Sequence, residues 1–457
     1  MKMDSTGASR EPGDAGEALG TSVVWNFLGS FVPLAVGIIA IPLLIGSLGL
    51  ERFGVLSIAW LVVGYFSLFD LGLGRALTQL VAEYRGLSRD KEIPALIWTS
   101  LLLMLLMGGV GCLLLLWLSA PLASLLNITP VHVDEAIGVF RCLALSIPLV
   151  IVTIGLRAIL EAYHQFRVIN QVKIPASVAT FLLPVVVLVF DNNLVSVAVG
   201  IIFTRLVVAI AYWRALARAQ PELRKVAFTD KQSIKRLFQF GGWMTVSNVV
   251  GPLMVYMDGF AIGAVLTVSE VPFFTVPYEV SSKLWIFSGA IVTALFPLIA
   301  QRLTGARCSA EAIFFSSMRT LFIFLFPAVL LLVCLSQIGL ELWLGAEFST
   351  KSTLVLQLLL AGVFINSLAM FPYALLQGAG YPRVTAVIHL IELPLYVPLL
   401  LFMLVQYGIE GAALAWFLRV FLDMALLIFW AGRYLDDFRD KLWRAFGLQL
   451  LALLTIL

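Results

Sequence analysis

Nine ionisable residues stand inside otherwise apolar runs of this chain: Arg141, Arg205, Asp258, Glu279, Lys283, Arg319, Glu392, Arg419 and Asp423. Charges in such surroundings are costly, so they face a polar cavity or pair with one another. Glu279 and Lys283 are four residues apart, a helical spacing that turns both to one side. They read either as a structural ion pair or as cavity charges that change partners when a ligand binds. Arg419 and Asp423 repeat the spacing and read as a structural pair. Asp258, with Asn248 ten residues earlier, could bind hydroxyls, a proton or Na⁺, or pair with Lys283. Glu392 lies between His389 and Pro394, where a carboxylate can carry protons or satisfy backbone groups that the proline frees. Arg141 lies close to the outer end of its span and Arg319 about a third of the way into its own from the inner side; either could snorkel or hold an anion. Asp70, ahead of Gly72 and Gly74, reads as a helix cap beside Arg75.

Covalent chemistry has little support. The three histidines (His132, His164, His389) are dispersed, with no H-E-x-x-H motif or nucleophile elbow. The four cysteines (Cys112, Cys142, Cys308, Cys334) form no C-x-x-C pair. The sequence therefore predicts no catalytic residue, no metal site and no cofactor.

The elements that carry these residues are membrane spans. Apolar residues make up 61% of the chain and charged residues 12%, with mean hydropathy +1.01. A soluble domain carries about a quarter charged residues. Runs long enough to cross the bilayer lie near 21–46, 53–74, 93–118, 136–157, 171–190 and 194–213. Six more lie near 240–263, 273–299, 312–338, 352–376, 384–406 and 410–431. The predicted fold is an all-α polytopic membrane protein of two pseudo-repeated six-helix bundles around a central cavity. It has twelve transmembrane helices and the start of a thirteenth. Residues 1–20 form a disordered cytoplasmic tail, 21–213 and 240–431 the two lobes, and 214–239 a basic connector with an interfacial helix. Residues 432–457 are a C-terminal extension holding the partial thirteenth helix. With the N-terminus inside, 23 basic residues fall on the inner side and only Arg52 and Lys351 outside, as the positive-inside rule requires. The connector's basic residues are interleaved with Glu222 and Asp230 and suit anionic headgroups rather than nucleic acid.

The two halves repeat in sequence. Ala158-Ile159-Leu160-Glu161 through Phe166-Arg167-Val168 recurs 216 residues later as Ala374-Leu375-Leu376-Gln377 through Pro382-Arg383-Val384. A similar offset pairs Gly46 with Gly263, Arg85 with Arg302 and Arg205 with Arg419. Two similar membrane halves imply a transporter with its binding cavity where they meet.

Further motifs follow in order: Gly46-Ser47-Leu48-Gly49 to Phe53-Gly54, Phe69-Asp70-Leu71-Gly72-Leu73-Gly74-Arg75-Ala76, and Leu156-Arg157-Ala158 to Glu161-Ala162. Then come Gly241-Gly242-Trp243, Asp258-Gly259-Phe260, Leu376-Gln377-Gly378-Ala379-Gly380 and Gly408-Ile409-Glu410-Gly411-Ala412-Ala413. With these, nearly the whole chain resembles the Wzx-type polysaccharide flippases of the multidrug/oligosaccharidyl-lipid/polysaccharide exporter superfamily. The resemblance implies alternating access in the bacterial inner membrane and a polyprenyl-diphosphate-linked glycan as cargo. Membrane lipids and polysaccharide polymerase or assembly proteins would be its partners. Lys283, Glu279, Asp258, Asn248, Arg141 and Arg319 are then the candidate substrate ligands, the arginines for the diphosphate. Asp258, Glu279 and Glu392 are the candidates for ion coupling. A cation-coupled multidrug exporter is the nearest rival, but it often carries an acid in the first span, and 21–50 holds no ionisable residue before Leu50. A peptidoglycan-precursor flippase would tend to carry charges there too. A membrane-embedded polysaccharide polymerase or acyltransferase is the remaining alternative. A polymerase would usually need a larger outer loop than any here, and the dispersed histidines supply no catalytic motif.

Overall fold

A computed structural model of the chain describes residues 12–66, 70, 72–224, 250–251, 253–292 and 307–433. Asn248, most of the connector and the proposed thirteenth helix lie outside the described residues. The helices are α1 (Pro12–Phe66), α2 (Leu73–Gly86), α3 (Ile93–Leu125), α4 (Pro130–Ala162), α5 (Phe166–Phe190) and α6 (Leu194–Ala219). They continue as α7 (Leu253–Val265), α8 (Val271–Ser282), α9 (Arg307–Leu344), α10 (Ala346–Gly378) and α11 (Pro382–Ala431). Among the described residues, eight helices are long and apolar enough to cross a membrane.

Two of them are too long for a single crossing. The 50 residues of α11 would run about 75 Å if straight, against a hydrocarbon core of about 30 Å. Each long helix breaks at one glycine. Gly49 in α1 has φ 73°, ψ 169° and Gly408 in α11 has φ 62°, ψ −144°, outside the helical region. These backbone angles favour glycine. Both arms of α1 then line one cavity, and both arms of α11 contribute to one buried polar cluster.

The sequence repeat is also a repeat of geometry. After α4, Tyr163 N–H donates to Ile159, His164 to Glu161 and Gln165 to Leu160. After α10, Ala379 donates to Leu375, Gly380 to Gln377 and Tyr381 to Leu376, the same three bonds 216 residues on. His164 and Gly380, at equivalent places, both take positive φ (56° and 84°). The helices that follow begin at Phe166 and Pro382, again 216 apart.

Lipid gives no hydrophobic drive between helices, so close packing and polar satisfaction hold them together. Small residues Ala412, Ala413 and Ala415 are fully buried on the second arm of α11. Prolines release carbonyls, and other helices supply the donors. Pro42 cannot bond the Ile38 carbonyl, which instead accepts the Trp343 indole N–H of α9 at 2.6 Å. Pro277 frees the Phe273 carbonyl, which accepts the Ser352 hydroxyl of α10 at 2.9 Å. Asp70 caps α2 as expected, accepting from Gly72 N–H at 3.0 Å and Gly74 N–H at 3.3 Å. The span expected over 53–74 is not one continuous helix, because Gly72 takes positive φ (76°) just before α2. α6 runs on to Ala219, so the first residues expected in the connector are helical.

The two halves clasp at the end of the bundle that holds Gly49. Asn127, just after α3, donates its side-chain N–H groups to the Ala264 and Leu266 carbonyls at 3.0 and 2.7 Å. Its backbone N–H reaches Gly263 O at 3.0 Å. Beside it Gly54 meets the chain at Val268 so closely that a Cβ would lie 2.1 Å from the Val268 carbonyl oxygen. Gly54→Ala therefore holds this clasp open. An otherwise cysteine-free protein carrying Ser57→Cys should react several-fold faster with a membrane-impermeant maleimide added at the Gly49 face when Gly54→Ala is also present. Equal labelling rates with and without Gly54→Ala would refute the steric argument.

Candidate functional site

A cavity of about 980 Å³ lies between the halves, walled by α1 and α5 on one side and α7 and α8 on the other. Lys173, Ser177 and Thr180 sit at helical spacing on α5 and share the face turned to it. Ser57, Trp60 and Gly64 do the same on the second arm of α1. Opposite them α8 is interrupted. Lys283 N–H bonds Val280 O at 3.2 Å and Leu284 N–H bonds Ser281 O at 3.1 Å, tightened turns that end the helix before it resumes at Trp285. Lys283 thus sits at a helix C-terminus, where unbonded carbonyls favour a cation. Its ammonium contacts the Glu279 carboxylate one turn back.

Two ammonium groups and one carboxylate face the cavity, so its described charges are net positive. The indole N–H groups of Trp60 and Trp285, one from each half, are buried and have no acceptor among the described residues. Phe181 packs edge-on against Trp60, and Tyr278 against Trp285. The site therefore offers cationic donors and aromatic side chains, separated by apolar wall.

The sequence-predicted residues divide between this cavity and a second place. Glu279 and Lys283 line the cavity together. Asp258 does not pair with Lys283: it is wholly buried one layer behind, accepting the Tyr396 hydroxyl at 2.5 Å, while its neighbour Gly259 lines the cavity. Glu392 is buried near it. The Arg419–Asp423 pair expected from spacing gives way to partners on the facing arm of α11. Arg419 Nη1 lies 4.0 Å from Glu392 Oε2, and His389 Nε2 lies 3.9 Å from Asp423 Oδ1. His389, Glu392 and Asp423 hold atoms within 4.8 Å of one another, a spacing that would suit a metal. The Arg419 guanidinium beside Glu392 already supplies the positive charge a metal would bring. Arg141 and Arg319 lie exposed on α4 and α9 and do not line the cavity. They are not brought together, because neither helix forms a cavity wall.

Lys173 is not among the site residues that the sequence singles out. Its position near the inner end of α5 reads as an ordinary inner-side basic residue, although Ser177 and Thr180 follow at four and seven residues on an apolar helix. That periodic polar face was the available signal.

The family model for polysaccharide biosynthesis proteins matches residues 19–302. A Shigella flexneri protein assigned as an O-antigen transporter is 36% identical over 407 residues, covering 89% of this chain and 96% of its own. The chain belongs to the polysaccharide biosynthesis protein family. A more distant relative from Haloferax volcanii, assigned as a low-salt glycan biosynthesis flippase, is 26% identical over 46% of this chain and 43% of its own. A multidrug resistance MATE family transporter of the MOP superfamily, solved inward-facing, superposes with TM-score 0.75 at 14% identity. That match covers 91% of this chain and 99% of the other. This family member thus has the MOP transporter fold and is a multi-pass membrane protein.

The Glu279 and Lys283 side chains are 39% and 29% exposed to the cavity, so water screens their attraction. Thermal unfolding of Glu279→Gln, Lys283→Met and the double variant should give a coupling of about 0.5 kcal/mol. A coupling near zero would mean the contact adds nothing to stability.

Proposed function

We propose that this protein flips a polyprenyl-diphosphate-linked oligosaccharide from the cytoplasmic to the outer leaflet of the bacterial inner membrane, for cell-surface polysaccharide synthesis. The observation that carries the reading is the cavity between the halves, with Lys173 and Lys283 on opposite walls. Two ammonium groups suit a diphosphate, through charge-assisted hydrogen bonds. The aromatic side chains of Trp60 and Trp285 in the cavity lining suit sugar rings. Glu279 holds Lys283 until the diphosphate takes its place. The assignments of the Shigella and Haloferax relatives support the same class of cargo.

The N-terminus is cytoplasmic in this reading, and the Asn127 clasp closes the outer end. Lobes of 21–213 and 240–431, joined by 214–239, rock about the cavity so that it faces each side in turn. Catalysis of bond making or breaking plays no part. Polymerase or assembly proteins receive the cargo outside.

A cation-coupled multidrug exporter is the second reading, favoured by the fold it shares with such transporters. The net positive cavity argues against it, since a cationic drug would meet two lysines against one acid.

Reconstitution into proteoliposomes with a fluorescent polyprenyl-diphosphate sugar separates the two. Protein-dependent movement between leaflets is expected. Lys173→Ala and Lys283→Ala should each slow it about tenfold, the loss of one charge-assisted bond of about 1.5 kcal/mol. Movement at the normal rate by a correctly inserted Lys283→Ala protein would overturn the assignment of that lysine. Absence of glycan movement, with ion-driven uptake of a cationic dye by the same vesicles, would make the protein an exporter.

A further inference from the structure

We propose that Arg205 binds a small monovalent anion of the chloride class inside the first half, at the place where Arg419 meets a carboxylate in the second half. This site is separate from the cavity and does not depend on what the cavity carries.

Arg205 faces inward. It follows Ile201 by four residues and precedes Val208 by three, so it lies on the buried stripe of α6 formed by Leu194, Ala198, Ile201, Val208, Tyr212 and Leu216. Val199, Phe203, Leu206 and Ile210 are exposed on the opposite face. Packing fixes its level. A Cβ on Gly200 would lie 2.5 Å from Leu183 of antiparallel α5, and one on Gly138 of parallel α4 would lie 2.8 Å from Val195. Counting on from those contacts sets Arg205 opposite Val178 on α5 and Pro148 on α4. Neither Arg205 nor Ala176 lines the cavity, whose wall on this side is the other face of α5.

No carboxylate reaches the guanidinium. Among the described residues Arg205 has neither a hydrogen-bond acceptor nor an ion-pair partner. α5 and α6 contain no acidic residue. On α4 the acids nearest to Pro148 are Glu135 and Glu161, thirteen residues to either side and so about 20 Å away along the helix. Both are taken, Glu135 by Arg52 and Glu161 by Arg157. The repeat identifies the loss. In the second half Arg419 Nη1 lies 4.0 Å from Glu392 Oε2, and its guanidinium lies 5.4 Å over the Tyr396 ring. The 216-residue offset puts Ala176 at the place of Glu392 and Thr180 at that of Tyr396. The arginine is kept while the acid and the phenol shrink to a methyl group and a short hydroxyl. Arg205 is accordingly part-exposed although it lies on the buried stripe.

An unpaired guanidinium within a membrane is costly and keeps its charge, so an anion is the partner this setting requires. The walls choose which one. α4, α5 and α6 carry no other cation within a turn of this level. Thr180 and Thr204 already give their hydroxyl hydrogens to the Ala176 and Gly200 carbonyls at 3.1 Å. A phosphate or diphosphate would bring more charge than one guanidinium offsets, and would find few donors to replace its water. A monovalent, weakly hydrated anion is balanced by the guanidinium alone and tolerates an apolar wall.

The test uses the full-length protein in detergent, without cargo. Potassium gluconate is replaced stepwise by potassium chloride at constant ionic strength and pH. The unfolding temperature of the wild type should rise by roughly 2 °C and level off, as binding at one site requires. Arg205→Met should abolish the rise. The Lys173→Ala, Lys283→Ala double variant should keep it, because the cavity lysines form a different site. No saturable rise in the wild type overturns the proposal, as does a rise that survives Arg205→Met. A rise lost only in the lysine double variant places the anion in the cavity and equally overturns it. If Arg205→Met does not fold, wild-type crystals grown in bromide decide: an anomalous peak beside the guanidinium is expected, and its absence refutes the site. None of these outcomes bears on flipping, which the proteoliposome assay decides separately.

Discussion

A polar group inside the bilayer must find its partner within the protein, because the hydrocarbon offers none. The rest of this structure follows from that constraint. Carbonyls released by Pro42 and Pro277 are met by Trp343 and Ser352 from other helices, so a kink in one helix becomes a tie to the next. The ionisable side chains obey the same rule. Glu279, Lys283 and Lys173 face a cavity; Asp258, Glu392, Arg419 and Asp423 face one another; Asp70 faces the free N–H groups of a helix start.

The cavity and the buried group illustrate two ways of meeting the constraint, and their chemistry differs accordingly. In the cavity, groups are left open to be met by something else: Lys173 and Lys283 line it, and the Lys283–Glu279 contact is partly accessible. The interruption of α8 at Lys283 belongs here, since irregular backbone within a membrane is tolerated where it lines a cavity. Behind the wall, the carboxyls of α11 are buried beside Arg419 and His389. Asp258 and Gly259 of α7 and Tyr278 of α8 stand between the two environments.

Duplication supplies the framework that holds both. The turn after α4 and the turn after α10 repeat bond for bond, yet the halves differ in their buried charges. Arg205 and Arg419 occupy related positions in the repeat, but Arg419 is the one set beside Glu392 and Tyr396. Contacts between halves gather at the Gly49 end, where Asn127 and Gly54 leave no gap.

Much of this was legible in the amino-acid order. Hydropathy and the distribution of Lys and Arg determine the spans, and the 216-residue echo determines that the fold is built twice. Spacing of four also determines that Glu279 and Lys283 meet, because a helix has a fixed pitch. The spacing argument failed for Arg419 and Asp423: pitch says which residues can face one way, not which are closer across to another helix. Tertiary structure decided that Asp258 meets Tyr396, 138 residues away, rather than Lys283. It also decided that Lys173 enters the cavity while Arg141 and Arg319 stay outside. The reason is physical. Periodicity and hydropathy are properties of one helix in its solvent, whereas a partner is chosen by the distance and rotation between helices, which no single segment encodes.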